Sequence, residues 1–329
     1  MSTTTVTDTG GMPSVQELVR NPVVLAGVVA VLLFVVGNLL VPGFGAYGTI
    51  MNVLRVAAFL GVIAAGQTIV ILAGGEGIDL SVGKVATFSA IIVAQVSGGA
   101  DDRLLIAVAT ALLYCGLVGA VNGIGVAYLR IPPLVMTLGM VAVVQGIVRV
   151  YSGGQPEGRA PAALSQLINA RTVFGIRGSV WVWLVIAVFV ILLLRRTTFG
   201  RRVYALGANR ETAFLSGINV QRNLVLVYVA SSLFAALGGV MLIGYSGAAS
   251  ISLADQYQLI SIAAVVIGGT TLAGGVGGYL GTVIGAVVLQ TLTSLLVALN
   301  IGAAGRQVVN GLILIALLSA YGRQRRLRQ

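Results

Sequence analysis

The chain has 329 residues, 57% of them apolar and 9% charged, against roughly 25% charged in an ordinary soluble domain, and its mean hydropathy of +1.02 is that of a membrane protein. Histidine is absent and Cys115 is the one cysteine, which excludes Ser-His-Asp and Cys-His catalysis, His-rich metal sites and a disulfide within the chain. The net charge of +11 comes from 20 basic residues set mostly in loops and ends, a topology signal and not a nucleic-acid footprint.

Residues 1–20 are rich in Thr, Ser and Gly and are expected to form a disordered cytoplasmic tail before an uncleaved first anchor. A helix needs about 20 mostly apolar residues to cross a bilayer core of about 30 Å. Ten segments come near that length: 23–41, 50–73, 82–97, 104–127, 131–151, 180–194, 224–245, 257–272, 279–299 and 304–321. The third is short and carries Lys84, the sixth is short, and the eighth is interrupted by Gly268 and Gly269 and reads equally as re-entrant. Runs such as VVLAGVVAVLLFVV lack the alternation of a β-barrel. The expected fold is therefore an all-α integral membrane protein of about ten transmembrane helices, one permease-sized domain over 21–322 with a basic tail at 323–329. The connection 152–179, with Gly153, Gly154, Pro156 and Pro161, has room for a short surface helix.

Orientation follows from the arginines. The loop 195–222 holds Arg195, Arg196, Arg201, Arg202, Arg210 and Arg222 against Glu211, and the tail adds Arg323, Arg325, Arg326 and Arg328. Both belong in the cytoplasm, and an even number of spans puts the N-terminus there too. The connection near Asp255 has no cation.

The residues left between spans are too few for a soluble catalytic domain. Lys84 is the only lysine; it is followed by Val85, and Ile78 stands where a Walker A loop requires glycine. ATP, if used, is hydrolysed by another chain, and no catalytic or metal-binding residue is expected. The 45 glycines are about twice average usage. Gly116-x-x-Gly119-x-x-x-Gly123 and the run Gly274, Gly275, Gly277, Gly278, Gly281, Gly285 are of the kind that lets helices approach closely.

Two motifs stand out. In Gly74-Gly75-Glu76-Gly77-Ile78-Asp79-Leu80-Ser81-Val82-Gly83, glycine supplies unusual backbone angles and Asp79 is placed to cap the third span. It reads either as simple capping or as a gate-like cytoplasmic turn in which Glu76 or Asp79 pairs with Lys84, with Ser81 beside them. In the basic loop, Asn209 can cap a short helix, Arg210 opens it, Glu211 suits its positive end and Gly217 can end it left-handed, with Gly207 before it and Ser216 at its close. Ala213, Phe214 and Leu215 would face outward, on lipid or on a docking partner.

GIDLSVG after the second span, LGANRETAFLSGINV in the basic loop and IAAVVIGGTTLAGGVGGYLGTVIGA over 262–286 resemble the permease subunits of ribose-type ABC sugar importers, across residues from about 45 to 321. The resemblance implies a ten-span permease of the bacterial inner membrane. It also implies a second permease, identical or paralogous, two cytoplasmic ATPases that bind the ATP and Mg, an extracytoplasmic sugar-binding protein, and no cofactor on this chain. The coupling helix then maps to about Gly207–Gly217. One departure is the turn, GGEGIDLSVG, in which Glu76 and Gly77 are added to the usual GGIDLSVG.

Polar residues inside spans often line a pathway. Here they are Gln67, Asn122, Gln145, Gln290, Thr291, Thr293, Ser294 and Asn310; none is ionisable, which suits a neutral sugar or polyol. Interhelical hydrogen bonding is the competing reading for each. The competing class is a self-sufficient secondary transporter with helices broken at the midplane. The Gly-rich breaks at 74–77 and 268–278 favour it; the lack of a mid-span acid and the docking helix oppose it.

Overall fold

The structure, a computed structural model, describes residues 22–326, with side chains up to Ala316 and that of Ser319. The expected tail 1–20, and the side chains of the basic tail, lie outside the described residues. The described chain is helical: α1 Pro22–Leu40, α2 Tyr47–Leu72, α3 Val82–Ser97, α4 Leu104–Ala127, α5 Pro133–Tyr151, α6 Ala162–Asn169, α7 Gly178–Arg196, α8 Thr198–Ala208, α9 Arg210–Leu215, α10 Val220–Ser246, α11 Tyr257–Ile267, α12 Tyr279–Ala298 and α13 Ala303–Arg326.

Seven helices are long and apolar enough to cross a membrane: α1, α2, α4, α5, α7, α10 and α12. Val82–Ser97, Tyr257–Ile267 and Ala303–Ala316 are apolar but shorter. The sixth expected segment is thus a full-length helix of 19 residues, because Gly178 and Ser179 extend it at one end and the two arginines at the other. The eighth stops at Ile267, where Gly268 caps it and Gly269 turns left-handed at φ +85°. The expected surface helix is α6, whose Leu164 and Ile168 are buried.

The centre is formed by α2, α3 and α10. Every residue from Ala57 to Leu72 is buried, as is every residue from Val82 to Ala94, the pattern of helices enclosed on all sides. Small residues make this enclosure possible. A Cβ on Gly119 would lie 2.6 Å from the carbonyl oxygen of Tyr228, and one on Gly123 2.6 Å from the Cα of Val225, so α4 rests backbone-close on α10. Gly239 meets the carbonyl of Ala86, and Gly285 that of Ala264, in the same way. By contrast α1 buries only Ala26, Ala30 and Gly37.

Two shorter helices, α3 and α11, are each preceded by a non-helical stretch. After α2, residues Gly74, Gly75 and Glu76 are all left-handed, at φ +70°, +63° and +59°, and the chain then runs back along α2 without helix until Val82. Asp79 consequently lies level with Gln67, whose amide takes up the backbone N–H and C=O of Asp79. The second stretch precedes α11: Gly247 ends α10 at φ +77° and residues 248–256 reach Tyr257 without forming a helix. The first turn of α3 meets the residues before α11, where Thr87 Oγ1 accepts from the backbone N–H of Ala254 at 3.1 Å. At 1.5 Å per residue, Lys84 is about 20 Å from the Ser97 end of α3, and Tyr257, two residues after Asp255, about 15 Å from the Ile267 end of α11. The meeting point is therefore half-way through the molecule.

Candidate functional site

The basic loop folds into α8 and α9. Thr197 Oγ1 accepts from Gly200 N at 3.2 Å and opens α8; Asn209 Oδ1 accepts from Thr212 N at 2.9 Å and opens α9; Asn219 Oδ1 accepts from Arg222 N at 2.9 Å and opens α10. Each supplies one of the acceptors that an N-terminus lacks. Glu211 stands in the first turn of α9, at its positive end. Ser216 closes the helix with its hydroxyl on the carbonyl of Thr212 at 2.8 Å, and Gly217 ends it at φ +79°. Phe214 is 64% and Leu215 78% exposed. Ala213 is buried, so the outward apolar face expected from three residues consists of two; Ala213 instead seats α9 on the protein, where Ile218 N donates to its carbonyl at 3.0 Å.

Behind α9, three chain segments meet backbone to backbone. A Cβ on Gly74 would lie 2.9 Å from the Cα of Gly207, and one on Gly275 2.9 Å from the N of Ala208, while Gly275 N donates to Leu72 O at 3.0 Å. The glycine breaks at 74–77 and 268–278, far apart in sequence, are thus one contact with the end of α8. Tyr204 adds a hydrogen bond from its hydroxyl to Gly277 O at 2.9 Å, and burial raises its pKa above the usual tyrosine value, with Arg195 acting the other way. Arg210 ties α9 in: its Nη2 donates to Gly74 O at 3.0 Å. Burial draws the guanidinium pKa down, partly offset by Tyr228.

From this contact the extended segment leads to the interior. Asp79 is fully buried; its Oδ1 accepts from Ser81 N at 2.9 Å and Ser81 Oγ at 2.6 Å, and its Oδ2 from Ser231 Oγ on α10 at 2.7 Å. Asn122 of α4 donates to Ser81 Oγ at 3.0 Å. Asp79 therefore braces the non-helical segment and does not cap α3, because its acceptors are used one residue before the first helical amide. The expected pairing of Lys84 with Glu76 or Asp79 is also overturned. Lys84 Nζ lies 2.7 Å from Oδ1 and 2.8 Å from Oδ2 of Asp255: one turn into α3, its side chain points away from the glycine turn and toward the second non-helical stretch. The absence of mid-span ionisable groups fails with it. Asp79 and Lys84 are buried, and Lys84 meets Asp255 inside the molecule, because the segments holding them, which read as surface turns, run inside.

The expected pathway residues separate into groups. Gln67 and Asn122 are fully buried and brace the Asp79 segment, while Thr291 bonds to its own helix at Val287 O. Gln290, Thr293 and Ser294 of α12 line, with Thr49 and Asn52 of α2, a cavity of about 420 Å³ near the start of α2. Gln145 on α5 and Asn310 on α13 are half-buried and join neither group. Among the described residues no cluster of three or more His, Cys, Asp or Glu could hold a metal ion.

Comparison with known proteins places this architecture. Residues 49–318 match the family described as branched-chain amino acid transport system / permease component. Over 86% of the chain, and 88% of the relative's length, it is 32% identical to the ribose import permease protein RbsC of Escherichia coli K12. It is 36% identical to the ribose import permease protein RbsC of Bacillus subtilis 168, over 87% of the chain and 89% of the relative. It is 33% identical to the autoinducer 2 import system permease protein LsrC of Escherichia coli O9:H4, over 93% of the chain and 88% of the relative. No solved structure matches. The chain belongs to this family of ABC importer permeases, which are multi-pass inner-membrane translocation components and not enzymes.

Proposed function

We propose that this chain forms the translocation pathway of a binding-protein-dependent importer for a neutral sugar or polyol, in complex with a second permease, cytoplasmic ATPases that carry the ATP and Mg, and an extracytoplasmic binding protein. In this reading the seven long helices and three shorter apolar ones make ten crossings, with the basic loop, both termini and α9 in the cytoplasm, as the arginine distribution favours. The relatives named for ribose and autoinducer 2 support a sugar-like solute.

The observation that carries the reading is α9. A six-residue helix capped at both ends, with Phe214 and Leu215 exposed on a basic loop and Ala213 seating it, is built to present two apolar anchors to a partner. Its first residue, Arg210, holds the turn from which the interrupted span rises. A push on α9 by a closing ATPase is transmitted through Arg210 to Gly74, and through residues 77–81 to the first turn of α3. Affinity purification of the chain from its own cells, with partners identified by mass spectrometry, tests the assembly. An ABC ATPase is the expected companion, lost with Phe214→Ala. Uptake by the purified chain alone under an ion gradient would replace this reading by that of a secondary transporter.

A further inference from the structure

Lys84 and Asp255 are unequal partners. The Lys84 side chain is 10% exposed and that of Asp255 41%. Asp255 Oδ1 is buried against the ammonium, so the exposure belongs to the rest of the side chain. The pair lies half-way between the ends of the molecule, where the surroundings of a membrane protein are hydrocarbon. A carboxylate at that depth is tolerated only beside protein or a water-filled space, and non-helical backbone such as 248–256 obeys the same restriction. The exposed side of Asp255 therefore faces water or a second protein chain and not lipid, and in a translocation pathway it borders water. Helix geometry reinforces the placement, since Asp255 stands just before the positive end of α11, while Lys84, in the first turn of α3, would be disfavoured without its anion.

We infer that Asp255 is a solute-contacting residue at half depth in the pathway, where its carboxylate accepts hydrogen bonds from the hydroxyl groups of a neutral polyhydroxylated solute. Lys84 is its positioning residue: it fixes the carboxylate and cancels its charge, so the step attracts no cation of its own. The inference rests on the pathway reading above and adds to it the residue that selects the solute class. Because Lys84 opens α3, whose preceding segment leads to Arg210, the carboxylate also stands at the inner end of the connection from α9.

Two measurements test it, and the first needs neither partner nor solute. Cys115 is buried, so the full chain in nanodiscs gives a quiet background for single cysteines. With a charged, water-soluble methanethiosulfonate, Asp255→Cys is expected to react within about tenfold of the loop control Gln155→Cys. Val185→Cys, exposed on α7 toward lipid, is expected to react at least about a hundredfold more slowly, because a thiolate does not form in hydrocarbon. Asp255→Cys as slow as Val185→Cys overturns the inference.

The second uses the assembled importer in proteoliposomes with radiolabelled ribose as probe. Asp255→Asn and Lys84→Met are each expected to lower uptake about tenfold or more. The exchange of Lys84→Asp with Asp255→Lys keeps the pair and is expected to restore membrane abundance but not uptake. Uptake restored by the exchange would make Asp255 a strut and overturn the inference. If the exchange does not reach the membrane, the labelling result decides alone. A wild-type complex that takes up no ribose while Asp255→Cys labels rapidly counts against the ribose-like solute and leaves the aqueous position of Asp255 standing.

Discussion

Arg210 and Gly74 lie 136 positions apart, and the hydrogen bond from the guanidinium of the one to the carbonyl of the other, at 3.0 Å, joins the surface helix α9 to the turn that precedes α3. A hydrogen bond from a charged donor is worth about 1.5–3 kcal/mol. Arg210→Ala is therefore expected to leave ATPase recovery near normal while sugar uptake falls by about tenfold to a hundredfold. Uptake that stays proportional to ATPase recovery would show that force reaches the membrane by another route.

Phe214 and Leu215 are expected to carry the ATPase contact. Truncating a central apolar anchor costs about 2 kcal/mol or more, so Phe214→Ala should reduce ATPase recovery about 30-fold at equal membrane abundance. Unchanged recovery would mean that this face rests on lipid.

Gly217 tests the local fold of α9 independently. Nothing lies within 4 Å of a Cβ built there, yet its φ is +79°. A substitution thus meets backbone cost without steric overlap: Gly217→Val should lose about 1–2 kcal/mol, and Gly217→Asn much less, since Asn tolerates the left-handed region. Recovery of the ATPase by the Asn variant and not the Val variant is the expected pattern.

The arrangement of α4 on α10 predicts opposite outcomes three residues apart. A Cβ on Gly116 would meet only Leu233 at 3.5 Å, whereas one on Gly119 would sit 2.6 Å from Tyr228 O. Gly116→Ala is expected to be neutral or slightly stabilising, and Gly119→Ala to cost about 1–3 kcal/mol. Thermal unfolding in detergent of the two variants checks the contrast, and equal melting temperatures would contradict the packing.

Sidedness has its own check. Arg201 and Gln155 are both exposed and belong on opposite sides of the membrane if the basic loop is cytoplasmic. Gln155→Cys should react with an impermeant reagent on intact spheroplasts, and Arg201→Cys only after lysis. Reaction of position 201 from outside would invert the topology.

Hydropathy made most of the helices legible, and the caps Asn209 and Gly217 made α9 legible to within a residue, though not which way Ala213 faces, because both signals are local. Depth was not. Gly74 to Ser81 has the composition of a surface turn, and nothing in it states that Asp79 will be enclosed by Ser81, Asn122 and Ser231. Lys84 had two acids within eight positions and took one 171 positions away. Pairing across that distance is set by how α3, α10 and α11 pack, which no local pattern encodes. The clue lay in helix length: a third segment too short to cross, holding the only lysine.

The distance between these partners also bears on how the chain is made. Asp79 waits for Ser231 and Lys84 for Asp255, 152 and 171 residues later. At about 5–20 residues per second, roughly 10–30 s of synthesis pass during which a 16-residue helix and its acidic approach have left the ribosome without their hydrogen-bond and ion-pair partners. Such a segment cannot partition into lipid by itself, so it is held at the insertion machinery or in the aqueous vestibule until α10 and α11 arrive. Nascent chains stalled before Ser231 should accordingly leave a cysteine at position 84 open to water-soluble reagents, and chains extended beyond Ile267 should close it. Settling of α3 is then a late event of synthesis in a protein whose first helix is committed at the start.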